Sequence, residues 1–283
     1  MKVLSFGEIL WDVYPDKKYI GGAPLNFAAH LARHGGDVEM LSAVGCDFLG
    51  DEALEILGKW GVGTHLVKRL PDKETGSCVV TLDESSTPSY NLKTDVAWDC
   101  IPHVDTKTFD VLYFGTLALR GEHNRISLNK TLESGNFREI FCDINLRAPF
   151  FDRDSIEMVL NNATILKISE EELDTTLAAV GIENTGLESV CLELESRYKQ
   201  IRVVIITLGS KGAVAHSSLE NRLYFVKAKP CSVVSTVGAG DSFSAAFLWS
   251  YMRGEGLDRC LSHASKIASL TVSHYDAVPE YTV

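Results

Sequence analysis

Features that define several other protein classes are missing from this chain of 283 residues. Its seven cysteines are odd in number and include no Cys-x-x-Cys pair, which predicts reduced thiols in a cytosolic protein rather than a disulfide framework. No apolar run is long enough to cross a membrane, and Glu8 stands where a signal peptide needs apolar residues. We therefore expect a cytoplasmic location and no membrane partner.

Basic residues are also in short supply, with 27 lysines and arginines against 38 acids and a formal net charge of −11. This acidic balance argues against binding to nucleic acid or to an anionic membrane. An anionic substrate would depend on local Arg, Lys and backbone N–H groups. The sequence shows no repeats or low-complexity tracts, and its 45% of hydrophobic residues suffices for an ordinary core.

Two familiar nucleotide-binding motifs are absent. The chain contains no Gly-Lys-Ser or Gly-Lys-Thr, so it has no Walker A sequence. A Gly-x-Gly-x-x-Gly motif begins at Gly238 but fails at its last position, where Phe243 stands. A phosphate would have to be bound by another route.

The stretch 236–243 offers such a route. It places Gly238 and Gly240 at the start of a predicted helix over 241–253, where free N–H groups and missing side chains favour an anion. Asp241 would repel a phosphate unless it takes a proton from an attacking hydroxyl. An Asp that only complements the helix dipole explains these residues equally well.

Strands and helices alternate along most of the chain, which predicts an α/β fold. Buried strands are predicted at 3–6, 110–119, 139–143, 163–167 and 202–207. Ligands of an open α/β sheet gather at the carboxyl ends of strands, where Asp143, Asn145 and Arg147 fall. Arg147 suits a sugar or a phosphate, and an Asp143–Arg147 ion pair is the equal alternative.

Two segments resemble signatures of the ribokinase-like PfkB family of sugar kinases. The segment 235–241, Ser-Thr-Val-Gly-Ala-Gly-Asp, is similar to the family's Asp-Thr-x-Gly-Ala-Gly-Asp, and 21–26, Gly-Gly-Ala-Pro-Leu-Asn, is similar to its upstream signature. Their order and separation extend the resemblance over nearly the whole chain. It implies a three-layer α/β/α sandwich around a mostly parallel sheet, with a small β-sheet lid.

The resemblance also divides the chain into a core and a lid. The α/β core that binds nucleotide and sugar would comprise residues 1–10, 22–75 and 98–283, and the lid 11–21 and 76–97. Period-two alternation over 77–96, broken at 84–88, independently predicts a hairpin there. Such a lid would exclude water from the site, and we expect a homodimer formed through it.

The roles that the resemblance implies fall into three groups. Asp241 would be the catalytic base, with the phosphoryl group held by Gly238, Ala239 and Gly240 and contacted by Arg147. Substrate-binding residues would be Asp12, Gly21, Gly22, Asn26 and Asn145. Nucleotide-binding residues would be Lys167, Thr207, Gly209, Gly212 and Ser265.

Three residues depart from the family pattern on the nucleotide or ion side. Ser169 replaces an Asn, Ser235 replaces an Asp, and Asp276 replaces a Gly. Glu172 matches the family's Glu near magnesium, so ATP and Mg²⁺ are the expected cofactors, with an indirect metal role for Glu172. Ser235 would mark a potassium site that has lost a charged oxygen, so we expect only weak activation by K⁺.

The implied reaction is ATP-dependent phosphorylation of a sugar primary hydroxyl. Gly-Gly-Ala-Pro-x-Asn resembles the fructokinases, so fructose is the expected acceptor. Ketodeoxygluconate is the alternative acceptor, because Arg147 could serve a substrate carboxylate. From another class of protein, a sugar-binding sensor with weak turnover fits the three departures.

Two pairs of residues have plain structural interpretations. Glu8 and Asp12 follow the first strand, and each taken alone fits a solvated strand end. His30 and His34 have the i, i+4 spacing of a metal pair but no obvious third ligand. We interpret both histidines as ordinary helix residues, one of them facing solvent.

Overall fold

The computed structural model describes residues 1–82 and 88–282, so most of the turn predicted at 84–88 lies outside the described residues. The strands are β1 (Lys2–Phe6), β2 (Leu10–Val13), β3 (Lys18–Gly21), β4 (Asp37–Gly45), β5 (Val67–Leu70), β6 (Gly76–Leu82), β7 (Pro88–Leu92), β8 (Val111–Gly115), β9 (Glu139–Asp143), β10 (Ile165–Ser169), β11 (Val203–Thr207), β12 (Ala213–Ser217) and β13 (Arg222–Val226). The α-helices are α1 (Ala23–Arg33), α2 (Phe48–Lys59), α3 (Glu122–Ser134), α4 (Arg153–Asn162), α5 (Glu170–Val180), α6 (Leu187–Arg197), α7 (Ala239–Met252) and α8 (Leu257–Thr271).

The larger sheet has the strand order β13-β12-β11-β10-β9-β8-β1-β4-β5. Its strands pair in parallel from β5 to β11, and β12 and β13 are added in antiparallel fashion. Helices cover both faces, which confirms the three-layer α/β prediction. Such a sheet needs apolar residues at successive positions, because both of its faces are buried.

The strand period of two divides the core between the two faces of the sheet. In β11, Val203 and Ile205 pack with α1, α7 and α8, whereas Val204 and Ile206 pack with the helices of the other face, α3 to α6. All four side chains are almost fully buried. Continuous apolar runs in the sequence therefore mark strands that are covered on both sides.

The smaller sheet has the order β3-β2-β6-β7 and is mixed, since β2 pairs with β6 in parallel while its other pairings are antiparallel. It lies in the two ranges that we assigned to a lid, with Leu10 added at the start of β2. At its base Gly76 packs against the Trp98 ring, which a Cβ on Gly76 would approach to 2.4 Å. The smaller sheet's action as a lid stays a prediction.

The carboxyl ends of the parallel strands bring the predicted site together. Asp143 ends β9, Ser169 ends β10 and Thr207 ends β11, and these three strands are neighbours in the sheet. Helix α5 begins directly after β10 at this edge, and α7 begins there too, since Gly240 in its first turn lies beside Lys167 of β10. The next strand in the order, β8, ends at Gly115. Residues far apart in the sequence thus meet in one cleft.

The turn between β11 and β12 depends on Gly212. Its φ is +125°, and a Cβ would lie 1.9 Å from the Val226 carbonyl oxygen of the neighbouring strand. Gly212 is buried, so this backbone contact closes the hairpin. The close approach explains the glycine without a nucleotide, and a nucleotide role for Gly212 stays a prediction.

Replacement of Gly212 by alanine should lower the free energy of unfolding by more than about 2 kcal/mol, because backbone strain and a steric clash combine. Urea unfolding of the purified protein measures this value. Gly61→Ala is the matched control: its φ is +79°, but nothing lies within 4 Å of its Cβ position. That change should cost only about 1 kcal/mol. Equal effects of both changes would contradict the close contact at Gly212.

Candidate active site

The start of α7 forms an anion cradle, which we define as residues 238–241 with the Lys167 ammonium. Gly238 caps the helix in a left-handed conformation, with φ of 78°. Within the described residues the N–H groups of Gly240 and Asp241 have no hydrogen-bond partner. A Cβ on Gly240 would lie 3.3 Å from the Lys167 Nζ, so the missing side chain leaves room beside a positive charge. Helix dipole, free donors and ammonium all favour an anion here.

The Lys167 ammonium is buried and is paired with the carboxylate of Asp143. Its Nζ donates to the Asp143 Oδ2 at 2.7 Å, and both side chains are buried. Burial alone would lower the pKa of Lys167, but the carboxylates of Asp143 and Glu172 outweigh it and raise that pKa. The ammonium therefore remains charged at neutral pH. Ser244 on α7 adds a hydrogen bond of 3.2 Å to the same Asp143 oxygen.

The alternative of an Asp143–Arg147 ion pair is wrong, because Asp143 takes Lys167 as its partner. Arg147 is exposed, and within residues 1–82 and 88–282 its guanidinium makes no ion pair. Asp143 is the last residue of β9 and lies next to Lys167 of the neighbouring strand β10, whereas Arg147 lies in the loop after β9. The sequence spacing of the two residues could not reveal this.

Asp241 is partly buried, and the Asn26 side-chain amide donates to its Oδ2 at 2.8 Å. Burial raises the pKa of Asp241 to about 6, and the hydrogen bond from Asn26 opposes that rise. The carboxyl is thus mostly ionised at neutral pH and basic enough to accept a proton. The Asn26 Oδ1 is buried without a hydrogen-bond partner within the described residues, which leaves an acceptor for a bound hydroxyl.

The predicted substrate residues converge on the same cleft from the smaller sheet. Asp12 on β2 pairs in register with Cys78 on β6, and the backbone of Gly21 lies beside the Asp12 carboxylate. Burial raises the pKa of Asp12, and the positive charge of Arg147 opposes the rise. Arg147 also lowers the pKa of Asp241, so its charge acts on both carboxyls. The structure therefore brings Asp12, Asn26, Arg147 and Asp241 together.

Gly22 joins β3 to α1 at the point where the backbone approaches Glu8. Its φ is +117°, and a Cβ would lie 2.4 Å from the Glu8 carbonyl oxygen. The Glu8 Oε1 accepts a hydrogen bond of 3.0 Å from the N–H of Ala23 at the start of α1. The solvated strand end that we predicted is wrong for Glu8, whose side chain is only 2% exposed. Burial raises the pKa of Glu8 to about 7.

Sequence reasoning missed Glu8 and Tyr113 as members of the site. Together with Asn145, Asp143 and residues of α1 they line a narrow crevice at the base of the cleft. The Tyr113 hydroxyl is buried and has no partner within the described part of the chain. A Gly-Glu pair directly after a buried strand was the available signal for Glu8, whereas nothing in the apolar run of β8 singles out Tyr113.

The predicted nucleotide residues follow β11 and continue to α8. Thr207 ends β11 beside Ser169 in the register of the sheet, one strand from Lys167. Gly209 is exposed with nothing within 4 Å of its Cβ position, so the backbone there is open to a ligand. The Ser265 side chain is buried, and its Oγ lies 3.5 Å from the Lys227 carbonyl oxygen. The nucleotide-binding roles of these residues stay predictions.

Glu172 has a structural task that the sequence did not reveal. One carboxylate oxygen accepts from the backbone N–H and hydroxyl of Ser169, and the other accepts from the N–H of Leu146 at 2.7 Å. Glu172 thereby ties the start of α5 to the loop after β9. Across residues 1–82 and 88–282 no three metal-ligating side chains form a cluster. The Ser235 Oγ lies 3.2 Å from the N–H of Val237, and the metal roles of Glu172 and Ser235 stay predictions.

The prediction that one of the two histidines of α1 faces solvent is wrong. His30 is 0% exposed and His34 is 6% exposed. Both lie on the face of α1 that packs against α7 and the C-terminal segment, with the Tyr281 ring stacked on His30. The i, i+4 spacing placed them on one face, but it could not tell which face was buried.

Comparison with known proteins gives a family match over nearly the whole chain. The pfkB family of carbohydrate kinases matches residues 4–281. A sugar kinase of Pyrococcus horikoshii is 29% identical over 282 residues, covering 93% of this chain and 83% of that protein. A fructokinase of Vibrio alginolyticus is 28% identical over 264 residues, covering 86% of this chain and 81% of that protein.

A solved structure matches over a similar length. The Pyrococcus horikoshii sugar kinase in complex with ATP has a TM-score of 0.81 and 26% identity, and the match covers 98% of this chain and 94% of that one. Within the part of the chain that the structure describes, no helix is long and apolar enough to span a membrane. An α/β fold with an anion cradle beside a carboxylate suits phosphoryl transfer. This chain belongs to the pfkB family of carbohydrate kinases and is a sugar kinase.

The pH dependence of activity should reflect the ionisation of the Asp241 carboxyl. If Asp241 is the catalytic base, activity should fall as the pH drops through about 6, because a protonated carboxyl cannot accept the proton. Asn26→Ala removes the hydrogen bond that favours the ionised form, so the acid limb of kcat/KM should move upward by on the order of one pH unit. The measurement is kcat/KM for the sugar between pH 5 and 8, a range of about three units around this pKa.

Asn184→Ala is the matched control for this change. It removes an exposed Asn–Asp hydrogen bond, from Asn184 to Asp174, and should leave the acid limb unmoved. An acid limb that stays in place in Asn26→Ala would contradict the contribution of Asn26 to the pKa of Asp241.

Proposed function

We propose that this sugar kinase transfers the terminal phosphoryl group of ATP to a primary hydroxyl of fructose. The observation that carries the proposal is the position of Asp241, a basic carboxylate at the mouth of an anion cradle. A lone carboxylate beside an anion site is unfavourable unless it takes up a proton during the reaction. The related Pyrococcus kinase with bound ATP supports ATP as the donor.

The proposed proton transfer uses the geometry of α1 and α7. Asn26 orients the Asp241 carboxylate with its 2.8 Å hydrogen bond. Asp241 would take the proton of the sugar hydroxyl while the hydroxyl oxygen attacks the terminal phosphorus of ATP. The bond from that phosphorus to the bridging oxygen would break, and ADP would leave with that oxygen. The N–H groups of Gly240 and Asp241 and the Lys167 ammonium would stabilise the charge on the moving phosphoryl oxygens.

Magnesium would neutralise phosphate charge in this reaction, with Glu172 in an indirect role. The donor set fits such an indirect role, because both Glu172 oxygens already accept hydrogen bonds and no cluster of three ligating side chains occurs in the described residues. Mg²⁺ is usually coordinated by substrate phosphates and water with few protein ligands, which agrees with this donor set. Ser235 is proposed as part of a weak potassium site.

On the acceptor side, Asp12, Asn26 and the backbone of Gly21 and Gly22 offer hydrogen-bond groups to a neutral polyol. Arg147 would contact the sugar or the transferring phosphoryl group through its planar fork, and Asn145 lines the base of the cleft. Fructose is favoured by the Ala-Pro of the segment 21–26 and by the fructokinase relative. We also propose that the smaller sheet closes over the sugar and forms a homodimer contact.

A sugar panel tests the acceptor. We expect fructose to give the highest kcat/KM in a coupled ADP-release assay with MgATP. A higher value for ketodeoxygluconate would show that Arg147 serves a substrate carboxylate, and would replace fructose as the assignment. Calorimetric sugar binding without turnover of any sugar would instead favour the sensor.

Asp241→Asn should keep sugar and ATP binding but lose turnover by about a hundredfold or more, because an amide cannot accept the proton. The same change should raise the free energy of unfolding at pH 8 by roughly 1–2 kcal/mol, since it removes a carboxylate whose pKa is higher in the folded protein than in the unfolded chain. Steady-state kinetics, calorimetry and urea unfolding measure the three quantities. Turnover at the wild-type rate would remove Asp241 as the base.

A further inference from the structure

We propose that His30 is a positioning residue for the anion cradle: it holds the C-terminal segment 277–281 against Gly238 and so fixes the first turn of α7. His30 does not reach the cleft, and neither the family signatures nor the proposed mechanism uses it. The proposal deepens the proposed kinase function and rests on it for the identity of the anion.

Both ring nitrogens of His30 are engaged by the C-terminal segment. The Nε2 lies 2.9 Å from the Ala277 carbonyl oxygen, and the Nδ1 lies 2.6 Å from the Tyr281 hydroxyl. A carbonyl oxygen only accepts, so the Nε2 carries the hydrogen and the Nδ1 accepts from Tyr281. Burial lowers the pKa of His30 to about 4, which keeps this neutral form at neutral pH. Tyr281 in turn lies under the Arg33 guanidinium.

Ala277 lies directly against the cap of α7. A Cβ on Gly238 would lie 2.4 Å from the Ala277 carbonyl oxygen and 2.8 Å from its Cα. The same carbonyl therefore accepts from His30 on one side and limits the conformation of Gly238 on the other. Gly238 starts the turn whose free N–H groups form the cradle. The path from His30 to the cradle consists of one hydrogen bond and one backbone contact.

The placement of His30 on α1 gives this path its function. Asn26 lies one turn earlier on the same helix and bonds directly to Asp241, so α1 acts on the start of α7 directly through Asn26 and indirectly through His30 and Ala277. Asn26 sets the direction of the carboxylate, and His30 sets the backbone that carries the N–H groups. A shift of the segment 277–281 would release Gly238 while leaving the Asn26–Asp241 bond in place. Loss of the His30 contact should therefore weaken nucleotide binding more than sugar binding.

A pair of substitutions tests each ring nitrogen separately. The amide nitrogen of a glutamine lies about as far from the backbone as the His30 Nε2 and can donate to Ala277, whereas that of an asparagine lies near the Nδ1 position. We expect His30→Gln to bind a non-hydrolysable ATP analogue within about threefold of wild type, and His30→Asn to bind it at least about tenfold more weakly. Fructose affinity should stay within about twofold in both variants.

His216→Asn is the matched control. His216 on β12 is also a buried histidine, 1% exposed, and its Nδ1 lies 2.9 Å from the Oε1 of Glu195 on α6, away from the cradle. The asparagine can still donate to Glu195 but leaves the volume of the buried ring unfilled, so the control should lower the melting temperature without changing the affinity for the analogue. Calorimetry gives the affinities without turnover, and kcat and KM for both substrates are measured in parallel on the full-length chain.

The outcomes separate the two proposals. Weaker analogue binding confined to His30→Asn supports the positioning role, even where no sugar is turned over and the kinase proposal fails. Wild-type analogue binding in both variants overturns the positioning role and leaves the kinase proposal intact. Equal weakening of analogue and fructose binding, or weakening in His216→Asn as well, would mean a purely structural role and also overturns it. A wild-type protein that does not bind the analogue overturns both proposals.

Discussion

The hydrogen bond from Asn26 to Asp241 is the interaction on which the rest of the site depends, and it joins residues 215 positions apart. The partial burial of Asp241 favours its protonated form, which cannot accept a proton. The Asn26 amide stabilises the ionised form without adding a charge. A lysine in the same place would bind the carboxylate more tightly and make it a weaker base.

The buried charges near Asp241 alternate in sign, and this also stabilises the ionised form of each group. Lys167 lies beside Gly240 and bonds to Asp143, so a buried ammonium separates the start of α7 from a buried carboxylate. Two carboxylates without Lys167 between them would each resist ionisation, and an unpaired ammonium would lose its proton. Buried ion pairs contribute little net stability. Their value here is a fixed positive charge where phosphate charge is to be bound.

Much of the fold was predictable, because an apolar strand covered on both sides differs from a helix with one apolar face. The strand β9 has the predicted bounds, and the helix α7 begins two residues before its predicted start at Asp241 and ends at Met252, shortly before Gly254. The parallel pairing of β2 with β6 was not predictable, since these strands are far apart in the chain. Burial of both His30 and His34 was missed because a helix of small and apolar residues has more than one face that can be covered.

By itself, the sequence determined the glycine positions, the order of strands and helices, and the presence of a carboxylate at a helix start. Those are local properties, because backbone conformation and periodicity depend on residues a few positions apart. Only the tertiary structure decided that Asp143 takes Lys167 as its partner, that Glu8 is buried and that Ala277 lies against Gly238. Each of these depends on which strands are neighbours and which helix faces meet, and therefore on packing across the whole chain.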